Sequence, residues 1–391
     1  MMKIAVLGYG NIGNGVVRIV DELSAELKAR AGEKIEVKYV LDLRDFPGDP
    51  YESLLTHDVN DILNDPEVTL VVETMGGTGA AYKFVKAALE AGKSAVSSNK
   101  ALVAKYGSEL LAIAREKKIN FQFEASVGGA IPIIRPLYAC MTGTRINKIA
   151  GIMNGTTNFM LTKMDKEGLD YADVLKEAQR LGYAEADPTA DVEGFDTCRK
   201  IAILSSIACG KFVDFEDIPT TGITNVTKED ISLAKEFGMS IKLIGYSDFT
   251  DEGIVSEVAP KLVAPESPLY AVNDVFNAIM VSGDMSGDLM FYGSGAGKLP
   301  TASAVVADIV ECAKNAGRTV YEGWADEKVS LVSPKSRESR FFVRFDASLA
   351  AKAGIDVKIC GGSAAFITGP TTYDACEAKY KDLSPIIIGL L

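Results

Sequence analysis

The feature that most constrains the fold is a glycine-rich turn, GxGxxG, at residues 8–13, which stands between an apolar run and a helical pattern. The apolar run, KIAVLG, predicts a buried strand, and the residues after the turn predict a long helix. In such a turn the first glycine permits a tight bend and the second lets the backbone approach a pyrophosphate. The third allows the helix to pack closely on the strand. The turn therefore predicts a dinucleotide-binding site whose contacts are Gly8, Gly10, Asn11, Ile12 and Gly13.

Strand and helix patterns continue to alternate up to about residue 136. Strand-like runs are IEVKYVLDL, TLVVET, SAVSS and NFQFEAS, and helical patterns such as AAYKFVKAALEAG separate them. This alternation predicts a doubly wound parallel sheet with helices on both faces. The N-terminal part is therefore predicted to be a Rossmann-type nucleotide-binding domain.

The pattern changes from RINKIAGIMNG onward. Helical stretches at 157–180 and 189–208 precede three strand-like runs, SIKLIGYSDF, GIVSEVAPKLV and DVFNAIMVSG, which predicts an α+β domain with an open sheet. Residues 301–317 predict a helix that returns to the first domain. The tail from Ser339 predicts strand, helix, strand, strand, helix and strand. We therefore predict an α/β protein whose parts are residues 1–137 completed by 295–320, residues 138–294 and residues 335–391.

Residues that follow the predicted strands are candidates for cofactor contact, because ligands bind beyond the carboxyl ends of parallel strands. Asp42 and Arg44 follow the second strand and should face the adenosine ribose. An acidic residue suits the ribose diol of NAD, whereas an arginine suits the 2′-phosphate of NADP, so the choice stays open. Thr74, Ser98 and Lys100 end or follow the next strands. Lys100 begins a predicted helix, where a cation meets an unfavourable dipole, and this favours a role beside the nicotinamide.

The composition limits the chemistry. The single histidine, His57, stands in the polar segment LLTHDVND, so proton transfer falls to Lys, Asp, Glu, Tyr or Cys. Six scattered cysteines without a CxxC pair favour a reduced, cytoplasmic protein. The formal net charge of −12 argues against nucleic-acid and membrane-surface partners, and no apolar run approaches the length of a membrane span. We expect a small-molecule substrate.

An acidic segment, EADPTADVEGFDTCRK at residues 185–200, leads into an apolar helical pattern. If the helix includes Asp196 and Lys200, the two side chains lie one turn apart with the acid nearer the N-terminus, the favourable orientation for an ion pair. Apolar neighbours bury the lysine stem, so this pair can orient a substrate oxygen and pass a proton. Glu185 and Asp191 lie upstream in a loop, where their carboxylates suit the ammonium group of a ligand.

Five blocks, in order along the chain, resemble those of the homoserine dehydrogenase family. They are SSNKALVA (97–104), EASVGGAIP (124–132), GIMNGTTNFML (151–161), the spacing of Ala178, Gly182, Tyr183, Asp187, Pro188, Asp191, Gly194, Asp196 and Lys200, and GAGKLPTASAVVADIV (295–310). The resemblance covers roughly residues 2–320. It implies the NAD(P)-dependent interconversion of L-homoserine and L-aspartate 4-semialdehyde, in threonine, methionine and isoleucine biosynthesis.

The resemblance also implies roles for individual residues. Lys100 and Lys200 would handle the substrate oxygen and its proton, and Asp196 would orient Lys200. Glu185 and Asp191 would hold the amino group. Further implied substrate contacts are Gly155 and Thr156, and Gly297 is a predicted cofactor contact. The family's monovalent cation (sodium) site, built largely from backbone carbonyls, corresponds to Glu124, Val127, Gly129 and Ile131.

The tail resembles a compressed ACT-like module of βαββαβ order. The segment ASLAAKAGI replaces the usual DxPGVL-like turn, which favours a structural or assembly role over threonine binding. An exposed edge of the second sheet favours a homodimer or a higher homo-oligomer. Two other functions stay open: another two-domain NAD(P) oxidoreductase of an amino-acid-derived aldehyde, and a non-catalytic nucleotide-sensing regulatory protein.

Overall fold

The structure, a computed structural model, describes residues 1–321 and 323–391. The chain divides into two compact units. The first comprises Met1–Gly143, Ala202–Phe215 and Ser294–Val329. The second comprises Thr144–Ile201, Glu216–Gly293 and Ser330–Leu391.

Helices and strands alternate at the N-terminus, as the sequence predicts. The elements are β1 (Met2–Leu7), α1 (Asn11–Glu22), α2 (Ser24–Ala31), β2 (Ile35–Leu41), β3 (Leu55–Thr56), α3 (Val59–Leu63), β4 (Val68–Glu73), α4 (Gly79–Glu90), β5 (Ser94–Ser97), α5 (Lys100–Lys117) and β6 (Phe121–Gln122).

The middle of the chain begins with one strand and a group of helices. The elements are β7 (Ile146–Ile152), α6 (Gly155–Glu167), α7 (Tyr171–Arg180), α8 (Thr189–Val192), α9 (Phe195–Cys209), β8 (Lys211–Phe212), α10 (Lys228–Glu236), β9 (Ser240–Thr250), β10 (Gly253–Val263), β11 (Phe276–Gly283) and β12 (Gly287–Ser294). The C-terminal part contains α11 (Lys298–Lys314), β13 (Ala325–Lys328), β14 (Leu331–Val332), β15 (Phe341–Asp346), α12 (Ala350–Ala353), β16 (Lys358–Cys360), β17 (Ser363–Ile367), α13 (Tyr373–Tyr380) and β18 (Ile386–Leu390).

The first unit is built on a six-stranded parallel sheet with the order β3-β2-β1-β4-β5-β6. This is the strand order of doubly wound dinucleotide-binding sheets, so the predicted fold class is confirmed. The central strands are nearly continuous apolar runs because helices cover both faces of the sheet. Helix α11 packs on α1: a Cβ on Gly15 would lie 3.0 Å from the Cβ of Ala302.

The second unit contains a ten-stranded sheet. Its order is β12-β11-β7-β9-β10-β18-β15-β17-β16, and β14 also pairs with β10. The three strands predicted at residues 240–283 are β9, β10 and β11. The tail has the predicted order of strand, helix, strand, strand, helix and strand, and β18 joins it to the sheet through β10. On this sheet the Arg344 guanidinium forms a 2.5 Å ion pair with Asp230, a fully buried residue in the first turn of α10.

Three predicted helices are each divided in the structure. The long helix predicted after the glycine-rich turn is interrupted at Leu23, between α1 and α2. Gly168, with φ +67°, ends α6, and Gly194, with φ +83°, separates α8 from α9. Glycine adopts such left-handed backbone without the steric cost that other residues meet, so each helix ends there. The strand predicted over 120–126 is also shorter, because residues 124–126 form a 3₁₀ turn.

The helices can be compared with the requirements for a membrane span. Within the described residues, none combines the length and the apolar character that crossing a bilayer requires.

Candidate active site

The glycine-rich turn joins β1 to α1 in the geometry that a dinucleotide needs. Gly8 has φ +94°, a left-handed conformation. A Cβ on Gly13 would lie 1.9 Å from the Gly8 carbonyl oxygen, so only glycine allows the helix to start so close to the strand. A Cβ on Gly10 would meet no protein atom within 4 Å, which leaves space over this residue. Helix α1 begins at Asn11, and its first turn holds no acidic residue, so its N–H dipoles can face an anion.

Asp42 is held against the glycine-rich turn by hydrogen bonds. Its Oδ2 accepts the Tyr9 backbone N–H at 2.8 Å, although the two residues are 33 positions apart. The Arg44 guanidinium donates to both carboxylate oxygens, at 2.9 and 3.0 Å. The Arg44 side chain, together with the Tyr9 and Arg44 backbone N–H groups, holds the pKa of Asp42 well below its usual range. Asp42, the candidate for the ribose of NAD, and Arg44, the candidate for the 2′-phosphate of NADP, therefore form one ion pair.

His57 lies beside this ion pair on an exposed segment. Its Nδ1 is 2.6 Å from the Asp42 carbonyl oxygen, and its Nε2 is 3.1 Å from the Asp45 carboxylate. The hydrogen bond to Asp42, followed by the one to Asp45, raises the pKa of His57. The only histidine of the chain thus supports the turn after β2.

The ends of β4 and β5 are tied together by a buried carboxylate. Glu73 accepts the N–H of Met75 at 2.8 Å and the Ser97 hydroxyl at 2.5 Å, and burial raises its pKa. Thr74 donates its hydroxyl to the Gly8 carbonyl at 2.8 Å, beneath the glycine-rich turn. Ser98 and Lys100, which follow β5, are half-buried, and Lys100 is the first residue of α5.

Lys298 is a candidate that the sequence reasoning missed. It begins α11 directly after Gly297, whose φ is +124°, and its Nζ donates a 2.6 Å hydrogen bond to Asn14 on α1. An exposed cation beside the glycine-rich turn suits a pyrophosphate. The Gly297-Lys298 sequence marks a possible turn before a helix, but it does not predict contact with Asn14, because the two residues are 284 positions apart.

Asp196 and Lys200 form the predicted ion pair on α9. Lys200 Nζ lies 2.7 Å from Asp196 Oδ2, and the side chains are 8% and 2% exposed. Lys200 Nζ also donates to the Met153 carbonyl oxygen at 2.7 Å. Helix α9 can lie close on the sheet because β9 has Gly245 beneath it: a Cβ there would be 2.9 Å from Thr197.

Asn154 connects this pair to a second carboxylate, and the sequence reasoning did not single it out. Its Nδ2 donates to Asp191 Oδ1 at 2.7 Å and to Asp196 Oδ2 at 2.9 Å. Its Oδ1 accepts the backbone N–H of Thr157 and so caps α6. In the sequence, an Asn before a predicted helix indicates a helix cap, and this pattern does not predict the two carboxylate partners.

The other predicted substrate residues surround the N-terminus of α6. Gly155 is the first residue of the helix, and a Cβ on it would lie 2.7 Å from the Val275 carbonyl oxygen. Thr156 donates its hydroxyl to the Tyr183 carbonyl oxygen at 2.6 Å, which ties the helix to the acidic loop. Glu185 is exposed on that loop, where its backbone carbonyl accepts a hydrogen bond from Gln179.

The Glu124 carboxylate is used within the first unit. It accepts the backbone N–H groups of Ile133, Ile134 and Arg135 at 2.6, 2.7 and 2.7 Å. The fully buried Asp308 accepts the Glu124 N–H and pairs with Arg135, and burial, together with the nearby Glu124, raises the pKa of Asp308 to about 8. Of the two kinds of oxygen on Glu124, the carbonyl is therefore the better candidate for a cation. Within the described residues, no cluster of acidic, histidine or cysteine side chains could hold a metal.

A dinucleotide-binding turn on a doubly wound parallel sheet, in a chain that also contains a buried Asp–Lys pair, is typical of nicotinamide-dependent oxidoreductases. The comparisons with known proteins specify the family. Residues 132–310 match the family "Homoserine dehydrogenase", and residues 8–124 match "Homoserine dehydrogenase, NAD binding domain". The chain belongs to the homoserine dehydrogenase family, and its activity is that of a homoserine dehydrogenase.

Individual relatives agree over most of the chain. The homoserine dehydrogenase of Bacillus subtilis is 45% identical over 321 residues, which cover 80% of this chain and 73% of the relative. That of Pseudomonas aeruginosa is 43% identical over 311 residues, 79% of this chain and 72% of the relative. The crystal structure of a homoserine dehydrogenase from Thiobacillus denitrificans has a TM-score of 0.90 at 35% identity and covers 100% of this chain and 98% of its own. A hyperthermophilic archaeal homoserine dehydrogenase in complex with NADPH has a TM-score of 0.68 at 27% identity, and covers 80% of this chain and 97% of its own.

Proposed function

We propose that the protein interconverts L-homoserine and L-aspartate 4-semialdehyde in the pathway to threonine, methionine and isoleucine. The observation that carries this proposal is the buried Asp196–Lys200 pair, whose Asp196 oxygen is bridged by Asn154 to Asp191. An ammonium-bearing substrate suits the second carboxylate, and a developing alkoxide suits the lysine. A bound nicotinamide supplies or accepts the hydride.

Lys200 is the proposed general acid and base. Its ammonium donates a proton to the substrate oxygen when the aldehyde is reduced, and the amine accepts that proton in the reverse direction. Asp196 and the Met153 carbonyl each accept a Lys200 hydrogen at 2.7 Å, and these two hydrogen bonds orient the ammonium group. Asp191, with Glu185, is proposed to bind the substrate ammonium. The parts assigned to Lys100, Gly155 and Thr156 rest on the family resemblance.

NAD is the proposed preferred cofactor. The cofactor contacts are those predicted from the sequence, together with Lys298 at the pyrophosphate. Asp42 is held at the glycine-rich turn by the Tyr9 N–H, where a carboxylate can accept both hydroxyls of a ribose. Arg44 could bind a 2′-phosphate only after leaving Asp42, because both carboxylate oxygens already accept hydrogen bonds from its guanidinium. We therefore expect the protein to use both cofactors, with NAD preferred over NADP.

A monovalent cation is the further proposed ligand. The backbone carbonyls of Glu124, Val127, Gly129 and Ile131 offer hard oxygen donors, which suit a cation of the sodium type. Gly129 has φ +58°, and a Cβ on it would be 2.6 Å from the Gly295 backbone, so this turn is closely packed. No chemical step is assigned to the cation.

The assembly is proposed to be a homodimer or a higher homo-oligomer. Strand β12 is one edge of the ten-stranded sheet and exposes Leu289, Met290 and Tyr292. Unpaired backbone groups and apolar side chains on one edge suit pairing with a second copy.

The six cysteines are free thiols, which supports a cytoplasmic location. For the ACT-like tail we propose a role in stability or assembly.

An absorbance assay of the reduced nicotinamide tests this function. Homoserine should be oxidised and aspartate semialdehyde reduced, with NAD giving the higher kcat/KM. An analogue that lacks the amino group, 4-hydroxybutyrate, should lose at least about 100-fold in kcat/KM, because it leaves the carboxylates of Asp191 and Glu185 without their cation. Equal rates with both alcohols would contradict ammonium recognition, and cofactor binding without any turnover would favour a sensing protein.

A further inference from the structure

Asn154 stands at the junction of β7 and α6, and each end of its side-chain amide has a separate task. Its Oδ1 accepts the Thr157 N–H at 2.9 Å and the Thr157 hydroxyl at 3.0 Å. Its Nδ2 is the only part of the group that can donate, and it faces two carboxylates. The cap fixes the orientation of the amide, since a flipped group would place its NH₂ against the Thr157 N–H. Asn154 is only 5% exposed.

The two carboxylates belong to different functional parts of the unit. Asp191 is half-buried in the acidic segment, and Asp196 is buried on α9 beside Lys200. The Asp196 oxygen that accepts Asn154 Nδ2 at 2.9 Å is the same Oδ2 that accepts Lys200 Nζ at 2.7 Å. The residue before Asn154, Met153, provides the carbonyl that accepts another Lys200 hydrogen. One short backbone segment therefore positions both members of the ion pair.

We propose that Asn154 is a positioning residue of the proposed homoserine reaction, which keeps Asp191 and Asp196 as two separate anions. Two carboxylates that flank one point repel each other, and loss of the amide donor between them increases the tendency of one of them to bind a proton, even though Lys200 still donates to Asp196. A proton there would remove the charge that binds the substrate ammonium, or it would release Lys200 from its orienting partner. The neutral amide prevents this by donating one N–H to each carboxylate. This inference rests on the proposed function.

The competing explanation is that Asn154 only caps α6. Serine and aspartate are about as good as asparagine at this position of a helix, so Asn154→Ser and Asn154→Asp keep the cap. The serine side chain is too short to bridge the two carboxylates, and the aspartate replaces the donor by a third carboxylate. Asn154→Ala loses both the cap and the bridge. These three variants separate stability from positioning.

The experiment compares the full-length variants in urea unfolding and in steady-state kinetics across pH. For Asn154→Ser, which keeps the cap, we expect a smaller loss in unfolding midpoint than for Asn154→Ala, and a KM for the cofactor within twofold of the original protein. We expect kcat/KM for homoserine at neutral pH to fall about 30-fold or more. The acidic limb of its pH profile should move upward by about one unit, since a freed carboxylate pair holds its proton to higher pH. Asn154→Asp should show a larger shift in the same direction.

A matched control removes a helix cap elsewhere. Thr372 caps α13 by accepting the Ala375 N–H, so Thr372→Ala should lower the unfolding midpoint and leave the pH profile in place. The inference is overturned if Asn154→Ser and Asn154→Asp keep kcat/KM within threefold, or if activity falls while the acidic limb stays where it was. If one of these variants does not fold, the other decides. If the original protein does not oxidise homoserine at all, the proposed function fails instead.

Discussion

Lys200 Nζ lies 2.7 Å from Asp196 Oδ2, and both side chains are almost completely buried one turn apart on α9. Burying an ion pair costs a desolvation free energy that its attraction only partly offsets, so such a pair contributes little net stability. Its location beside Asn154 and Asp191 fits the proposed role in proton transfer instead. The pair is therefore the candidate functional site of the second unit.

Replacing Lys200 by alanine should lower kcat by about 10²–10⁴-fold, because the general acid and base of the reaction is lost. Cofactor affinity, measured by fluorescence titration, should stay within twofold. Lys163→Ala is a matched control, since Lys163 forms an exposed ion pair with Glu167 at the same i,i+4 spacing. Near-normal turnover of Lys200→Ala would remove Lys200 from its assigned role. The double variant Asp196→Asn/Lys200→Met leaves no isolated buried charge, so it shows whether the fold tolerates loss of the pair.

Changes at Asp42 and Arg44 should shift cofactor preference in opposite directions. Asp42→Asn is expected to lower kcat/KM with NAD about tenfold, because the ribose loses a charged acceptor, and to free Arg44 for a 2′-phosphate. Arg44→Ala is expected to lower kcat/KM with NADP and to leave the value with NAD within threefold. Kinetics with both cofactors measure the ratio. Arg18→Ala, which removes another exposed arginine of the first unit, should leave the ratio unchanged, and an equal loss with both cofactors in Asp42→Asn would contradict discrimination.

Alanine in place of Gly10 should weaken cofactor binding without weakening the fold. A Cβ at this position meets no protein atom within 4 Å, so only a bound pyrophosphate would contact it. Gly13→Ala should lose both stability and binding, because its Cβ would lie 1.9 Å from the Gly8 carbonyl oxygen. Gly79→Ala, also without a neighbour within 4 Å, should change neither. Thermal unfolding with and without NAD measures both properties, and full NAD affinity in Gly10→Ala would place the cofactor elsewhere.

The stability that Lys242 contributes should depend on pH. Lys242 is 1% exposed, donates to the Val272 carbonyl at 2.7 Å, and burial lowers its pKa from 10.5 to about 8. Between pH 8 and pH 10.5 the unfolded chain holds a proton that the folded chain lacks, so stability gains from rising pH. The free energy of unfolding, relative to Lys242→Met, should therefore increase by about 3 kcal/mol across that window and stay constant below it.

Urea unfolding at several pH values measures this difference. Val272 and Asn273 lose a donor in Lys242→Met at every pH, so that loss displaces the two curves without changing their relative slope. Curves that run parallel from pH 8 to pH 10.5 would show that the buried amine keeps its ordinary pKa.

Local features of the sequence predicted much of the fold and part of the site. Three features are short-range patterns that a few neighbouring residues define. They are the glycine-rich turn, the alternation of strands and helices, and the acid and lysine four residues apart. Backbone sterics and the helical repeat act at that range, so β1, α1 and the Asp196–Lys200 pair follow from neighbouring residues. The breaks at Gly168 and Gly194 were missed because a glycine within a helical pattern can either be tolerated or end the helix, and the local sequence does not decide between the two.

Contacts between distant residues were decided only by the tertiary structure. Asn154 lies 37 and 42 residues from the two carboxylates that it joins, and Asp42 reaches the Tyr9 N–H across 33 residues. The same is true of Glu124, whose carboxylate is used by backbone N–H groups rather than offered to a cation. The sequence by itself determined which chemical groups are present and which elements carry them. The packing of those elements determined which groups meet, because a hydrogen bond requires a distance and a direction that only the folded backbone sets.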